Sequence, residues 1–248
     1  LLYTADGQSG IFYSNTAVIH MLQEIYDTYL EQCSQLFLAT TFSPDNLSNV
    51  FRTVFEADET APTFALQPEV CVTPFISESI LREAFNYELP HSEEIFRNAT
   101  AAFAGNMRRL TDSQTFVYFT ADGLMQFAAS GRTAEIPEIF YHKFTPEQRI
   151  QMLRGVEASC RDGSYRILQK PLNHLPSNLH LCIRGNIGTL IFQKSNGEVM
   201  LFTIQEYGLL ETFLDYLQNM QESCFYTTEE AAAYVQDIIC RLENGSIE

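Results

Sequence analysis

The stretch from Tyr165 to Ile204 most constrains what this chain can become. It holds the runs YRILQ, LHLCIRG, GTLIFQ and EVMLFTI, each of strand length and largely apolar. Ser195-Asn196-Gly197 separates the last two, and Asn-Gly between apolar runs predicts a tight hairpin. Gly185-Asn-Ile-Gly188 likewise predicts a turn between strands. A hairpin-rich sheet of this kind needs apolar cover, and the closing segments supply it. Leu210, Phe213, Leu214, Leu217 and Met220 recur at helical spacing, as do Tyr234, Val235, Ile238, Ile239 and Leu242 behind a capping box that opens at Thr227.

The first half reads as mainly helical. Val18, Leu22, Ile25, Tyr29 and Cys33 mark a helix over Thr16 to Cys33, and LFLAT (36–40) a short buried strand. Ser43-Pro44 opens a second helix, and Ser77 caps a third. Between them lie the β-rich runs TFAL and VCVTPF among three prolines, which predict irregular chain with short strands. A helix runs from Glu93 to about Arg109, TFVYF (115–119) is a strand, and a helix from Ala121 stops at Gly131. Thr145-Pro146-Glu147-Gln148 starts another with a capping threonine and Gln at the third position. The fold class expected is therefore mixed α+β: a hairpin-containing sheet in the second half flanked by helices, after a helix-rich first half. The 248 residues are expected to form one domain or two lobes, 1–110 and 115–248, with the seam in the polar stretch Arg108 to Gln114.

Charge and motif content narrow the function. Fifteen Lys and Arg against 31 Asp and Glu leave a net charge of −16, without the clustered cations that phosphate backbones require. No apolar stretch approaches the ~20 residues of a membrane helix. The six cysteines show no C-x-x-C pairing and fall where small buried residues serve, which predicts reduced thiols and a cytoplasmic setting. No phosphate-cradling glycine loop or G-x-S-x-G elbow occurs. The histidines (20, 91, 142, 174 and 180) lack metal-ligand spacing, so no metal or cofactor is expected. His20 is expected at a core edge and His180 within a strand, both structural. Carboxylates are too many to single out a catalytic pair, and no catalytic residue is assigned. Arg132, Arg166 and Arg184, beside strand or loop ends in an acidic chain, are the candidates for holding an anionic ligand.

TFVYFTADGLMQFAASGRTAEIP (115–137), TPEQRIQMLRGV (145–156), GLLETFLDYLQNM (208–220) and FYTTEEAAAYVQDII (225–239) together resemble the carboxy-terminal region of a group of Firmicutes helix-turn-helix transcriptional regulators. The resemblance spans about half the chain. It implies a bacterial sensory or assembly domain, a DNA-binding domain ahead of Leu1, DNA contact only through that domain, and possible homodimerisation around an unknown small-molecule effector or protein partner. Regions of this kind can share a phospholipase D-like architecture. The H-x-K-x-x-x-x-D motif of that chemistry does not occur here, since Lys143 directly follows His142 and Leu181-Cys182 follow His180. The expected function is thus non-enzymatic sensing or self-association, passed on by a shift between conformers. The alternatives are a hydrolase-like enzyme whose carboxylates converge in the fold, and a protein-interaction module.

Overall fold

A computed structural model describes residues 2–3, 10–11, 14–32, 37–41, 61–112, 115–169, 179–193 and 199–247. The chain divides into two compact units, Leu1–Leu36 and Phe37–Glu248. The first contains the short antiparallel pair β1 (Leu2–Tyr3) and β2 (Gly10–Ile11), followed by helix α1 (Thr16–Gln32). His20 is exposed on α1, not at a core edge. The helix expected from Ser43-Pro44 and the Asn196-Gly197 turn lie outside the described residues.

The second unit is built on one mixed sheet. Its strands are β3 (Phe37–Thr41), β4 (Thr63–Leu66), β5 (Thr115–Thr120), β6 (Tyr165–Leu168), β7 (Leu179–Arg184), β8 (Ile187–Gln193) and β9 (Val199–Ile204), in the order β3-β9-β8-β7-β4-β5-β6. The mixed α+β class expected from the residue pattern is the class observed. The partition of the sheet is not. β7, β8 and β9 form antiparallel hairpins, whereas β4, β5 and β6 pair in parallel. YRILQ therefore belongs with TFAL and TFVYF from the first half, and not with the hairpins.

Parallel neighbours require crossover connections, and helices make them. Between β4 and β5 run a 3-10 turn at Thr73–Phe75, where a strand was expected from VCVTPF, then α2 (Glu78–Ala84) and α3 (Ser92–Thr111). Pro74 in the first turn explains the departure, because its missing N–H suits a helical start and not a sheet ladder. Between β5 and β6 run α4 (Ala121–Ser130) and α5 (Pro146–Asp162). The seam expected at 108–114 separates no lobes. α3 continues through it to Thr111, and β5 begins at Thr115 paired to β4. Helices α6 (Tyr207–Gln218) and α7 (Thr228–Glu243) close the chain.

Strand alternation sends side chains to two faces. On one, Phe64, Tyr118, Leu181, Ile183 and Ile204 pack with Leu210 and Leu217 of α6. Gly188 lets that helix approach, because a Cβ there would stand 2.5 Å from Leu210 Cδ2. On the other, Val117, Phe119, Tyr165 and Ile167 join the larger core with Leu124, Phe127, Met152, Val156, Val235 and Ile239. Local signals set the helix ends. Thr145 Oγ1 accepts from Gln148 N at 3.3 Å, and Gln148 Oε1 accepts from Thr145 N at 3.0 Å. Thr145→Ala is expected to cost about 1 kcal/mol in urea denaturation, the usual worth of such a cap.

Candidate ligand-binding cavity

The face of the sheet opposite α6 turns polar where β4, β5, β7 and β8 meet. Register places Thr63 beside Arg184, Ala65 beside Cys182, and Cys182 beside Thr189. His180 lies two residues before Cys182 and so shares its face. On that one face stand Thr63, Thr115, His180, Arg184 and Thr189, with Gln67 just beyond β4, and all six are buried. The same strands send Phe64, Leu181 and Ile183 to the opposite, apolar face. Burying so many polar groups costs free energy unless each finds a partner.

These residues enclose a cavity of about 110 Å³, roofed by Phe103, Asn106 and Arg109 of α3, by the Cys71–Pro74 segment and by Glu135. A dry cavity of about 150 Å³ accommodates benzene, so this one suits about five non-hydrogen atoms. Much of its wall is internally bonded. Arg184 Nε donates to Thr63 Oγ1 at 3.0 Å. Arg109 Nη2 donates to Asn106 Oδ1 at 3.4 Å, and Asn106 Nδ2 donates to Thr73 Oγ1 at 3.3 Å. Tyr165 donates its hydroxyl to the Cys71 carbonyl at 3.0 Å.

Other groups on the wall are not satisfied. His180 is 3% exposed, yet neither ring nitrogen has a hydrogen-bonding partner. Glu135 Oε2 is sealed from solvent without one, and Gln67 Nε2 is in the same position. Gln67 stands near enough to Glu135 to lower its pKa, but not in the geometry of a hydrogen bond. Folded proteins seldom leave such atoms unmet, and three residues of one cavity doing so make this cavity the candidate site.

Burial also sets the charges. Desolvation pulls the His180 pKa down to about 4, so the ring is neutral at pH 7. Glu135 is pushed up to about 7, chiefly by burial; the Cys71 thiol and Gln67 amide pull it partly back, and the charge of Glu69 adds to the rise. Glu69 itself is raised by burial, partly offset by the bond its Oε2 accepts from Ala134 N at 2.8 Å. Burial and then the Glu135 charge hold the Cys71 thiol well above its ordinary range. Cys71 is thus a protonated thiol, the opposite of a nucleophilic cysteine.

Of the three arginines singled out from the sequence, Arg184 reaches the cavity. Arg132 pairs with Glu138 at 3.5 Å and lies over the Tyr141 ring. Arg166 grips Glu222 with both terminal nitrogens and lies 3.9 Å above the centre of the Phe225 ring, so it fastens the 222–225 segment to β6. These two are clamps within the fold. His180, Glu135, Gln67, Asn106 and Arg109 were not anticipated. The signal available was the alternation His180-x-Cys182-x-Arg184, which puts polar side chains on one face of an otherwise apolar strand.

Among the described residues, no group of three or more His, Cys, Asp and Glu is arranged to hold a metal ion, and no helix is long and apolar enough to cross a membrane. The five described cysteines (71, 160, 182, 224 and 240) are free.

No family model matches the chain, and no curated protein does. Among solved structures it is similar to TrmBL2, described as an archaeal chromatin protein with a novel mode of DNA binding, at 10% identity and a TM-score of 0.36. That match covers 82% of this chain, which in turn spans 58% of the TrmBL2 chain. A likeness this distant carries no function across.

Proposed function

We propose that this chain is the ligand-sensing, non-enzymatic part of a bacterial transcriptional regulator, and that its effector occupies the cavity beneath α3. The observation that carries the reading is His180, enclosed in the wall with both nitrogens unmet. Binding would supply the missing partners, and a conformer in which they are satisfied would gain in population. The residue chemistry favours holding over turnover. The imidazole is neutral and has no orienting partner, burial holds the Cys71 and Cys182 thiols protonated, and one carboxylate lines the space. The regulator assignment rests on the motifs between residues 115 and 239, and DNA contact would fall to a separate domain. Homodimerisation is part of the same reading, because helix-turn-helix regulators commonly address two half-sites; sedimentation equilibrium of the purified chain tests it, with a monomer at all concentrations as the contrary result.

Thermal unfolding of the purified chain against pools of small metabolites tests the sensing role. At least one pool is expected to raise Tm by a few degrees, as ligands specific for the folded state do. His180→Phe, which fills the space and removes both nitrogens, is expected to abolish the rise. A rise that persists unchanged in His180→Phe, or no rise from any pool, overturns the proposal.

A further inference from the structure

We infer that the occupant of this cavity is a compact, uncharged molecule of five or six non-hydrogen atoms bearing hydroxyl groups. This rests on the reading of the cavity as a ligand site and adds the chemical class. The unmet groups are of both kinds. Gln67 Nε2 can only donate, while Glu135 Oε2 accepts when the carboxyl is ionised and can donate when it holds its proton. The neutral ring of His180 offers one donor and one acceptor. A ligand completing this set must therefore accept and donate within a few ångströms. A hydroxyl does both from one atom.

Charged ligands each leave a conflict. A carboxylate or phosphate brings acceptors alone: Arg109 and Arg184 would attract it, but both already donate to neutral partners, Asn106 and Thr63, and its lone pairs would face the Glu135 carboxylate and the bare nitrogen of His180. An ammonium brings donors alone, and the guanidinium groups of Arg109 and Arg184 line the same space. A pure hydrocarbon fits the volume but leaves all three side chains unmet, at the full cost of buried, unpaired polar atoms. On the internally bonded part of the wall, Arg184 and Arg109 donate to the neutral groups Thr63 and Asn106, and Thr73 and Thr189 add hydroxyls, a surface that suits a neutral polar molecule.

The test follows the His180 ring by ¹⁵N–¹H NMR in the full chain during titration with glycerol, lactate, 1-amino-2-propanol and cyclopentane, all of similar size. Glycerol is expected to shift the His180 signals saturably, with a Kd about tenfold or more below that of the other three, the loss of one well-placed hydrogen bond being worth about that factor. Saturation at His180 separates binding from the general stabilisation that polyols give. Gln67→Leu, whose fold is checked by unchanged signals from the apolar face, is expected to weaken glycerol about tenfold. Tighter binding of lactate, the amine or cyclopentane overturns the neutral-hydroxyl class while leaving the cavity as a ligand site. No change at His180 with any of the four overturns both.

Discussion

Glu135→Gln is expected to stabilise the folded chain at pH 8 by up to about 3 kcal/mol and to change it little at pH 4. In the folded chain the Glu135 carboxyl titrates at about 7, against 4.5 for an ordinary glutamate. Each unit of difference is worth about 1.4 kcal/mol. Because the folded pKa is raised, the protonated form fits the fold. Stability is complete below 4.5 and is lost as pH climbs through 7, where burial must accept a carboxylate. The amide cannot ionise, so the variant keeps what the native chain loses. His180 acts in the mirror sense. Its pKa falls from 6.5 to about 4, so its neutral ring costs nothing above 6.5, and stability is lost as pH drops through 4. His180→Phe should therefore flatten the acid limb and leave the alkaline one. Urea denaturation of the three proteins at pH 4, 6 and 8 measures both effects. An equal gain for Glu135→Gln at every pH would show that shape, not ionisation, is responsible.

Gly123→Ala is expected to destabilise the chain by about 3 kcal/mol, the upper range for forcing extra volume into a packed interior. A Cβ at this position would lie 1.9 Å from the Pro68 carbonyl oxygen, 2.6 Å from its carbon and 2.7 Å from Glu69 Cα. These are backbone atoms, so no rotamer change relieves the clash. The segment is also pinned: Pro68 O accepts from Thr120 Oγ1 at 2.7 Å and from Thr120 N at 3.2 Å, and Gln67 N donates to Tyr118 O at 3.0 Å. Either α4 or the 67–69 segment must give way, and the second course moves Gln67 within the cavity wall. The measured result should be a fall in Tm of roughly 6–12 °C. A loss under about 1 kcal/mol would mean that 67–69 slides freely, and Gly123 would then have no hold on the cavity.

Much of the local structure was legible residue by residue. Capping boxes at Thr145 and Thr227 mark helix starts that the structure keeps, and both boxes are complete. The alternation in LHLCIRG and GTLIFQ predicts strands joined by a tight turn. The structure pairs Arg184 with Ile187 across the two residues Gly185 and Asn186. Such signals are carried by neighbours a few positions apart, which is why a linear pattern reveals them.

The partnership of strands is a different matter. TFAL, TFVYF and YRILQ each look like any short buried strand, and nothing within four residues of them states that they pair in parallel through helical crossovers. That pairing depends on the intervening helices burying their apolar faces on the sheet.

The cavity shows the same division more sharply. Gln67, Glu135 and His180 come from three separate parts of the chain, and each alone has an ordinary structural explanation. The amino-acid sequence by itself determined the α+β class, the helix ends and the parity that turns His180, Cys182 and Arg184 to one side. Only tertiary folding decided that this side is roofed, that Glu135 is lowered onto it, and that Arg132 and Arg166 are spent on Glu138 and Glu222 instead. Burial and desolvation, which give these side chains their altered pKa values and their unmet bonds, are properties of enclosure, and enclosure exists only once distant segments meet.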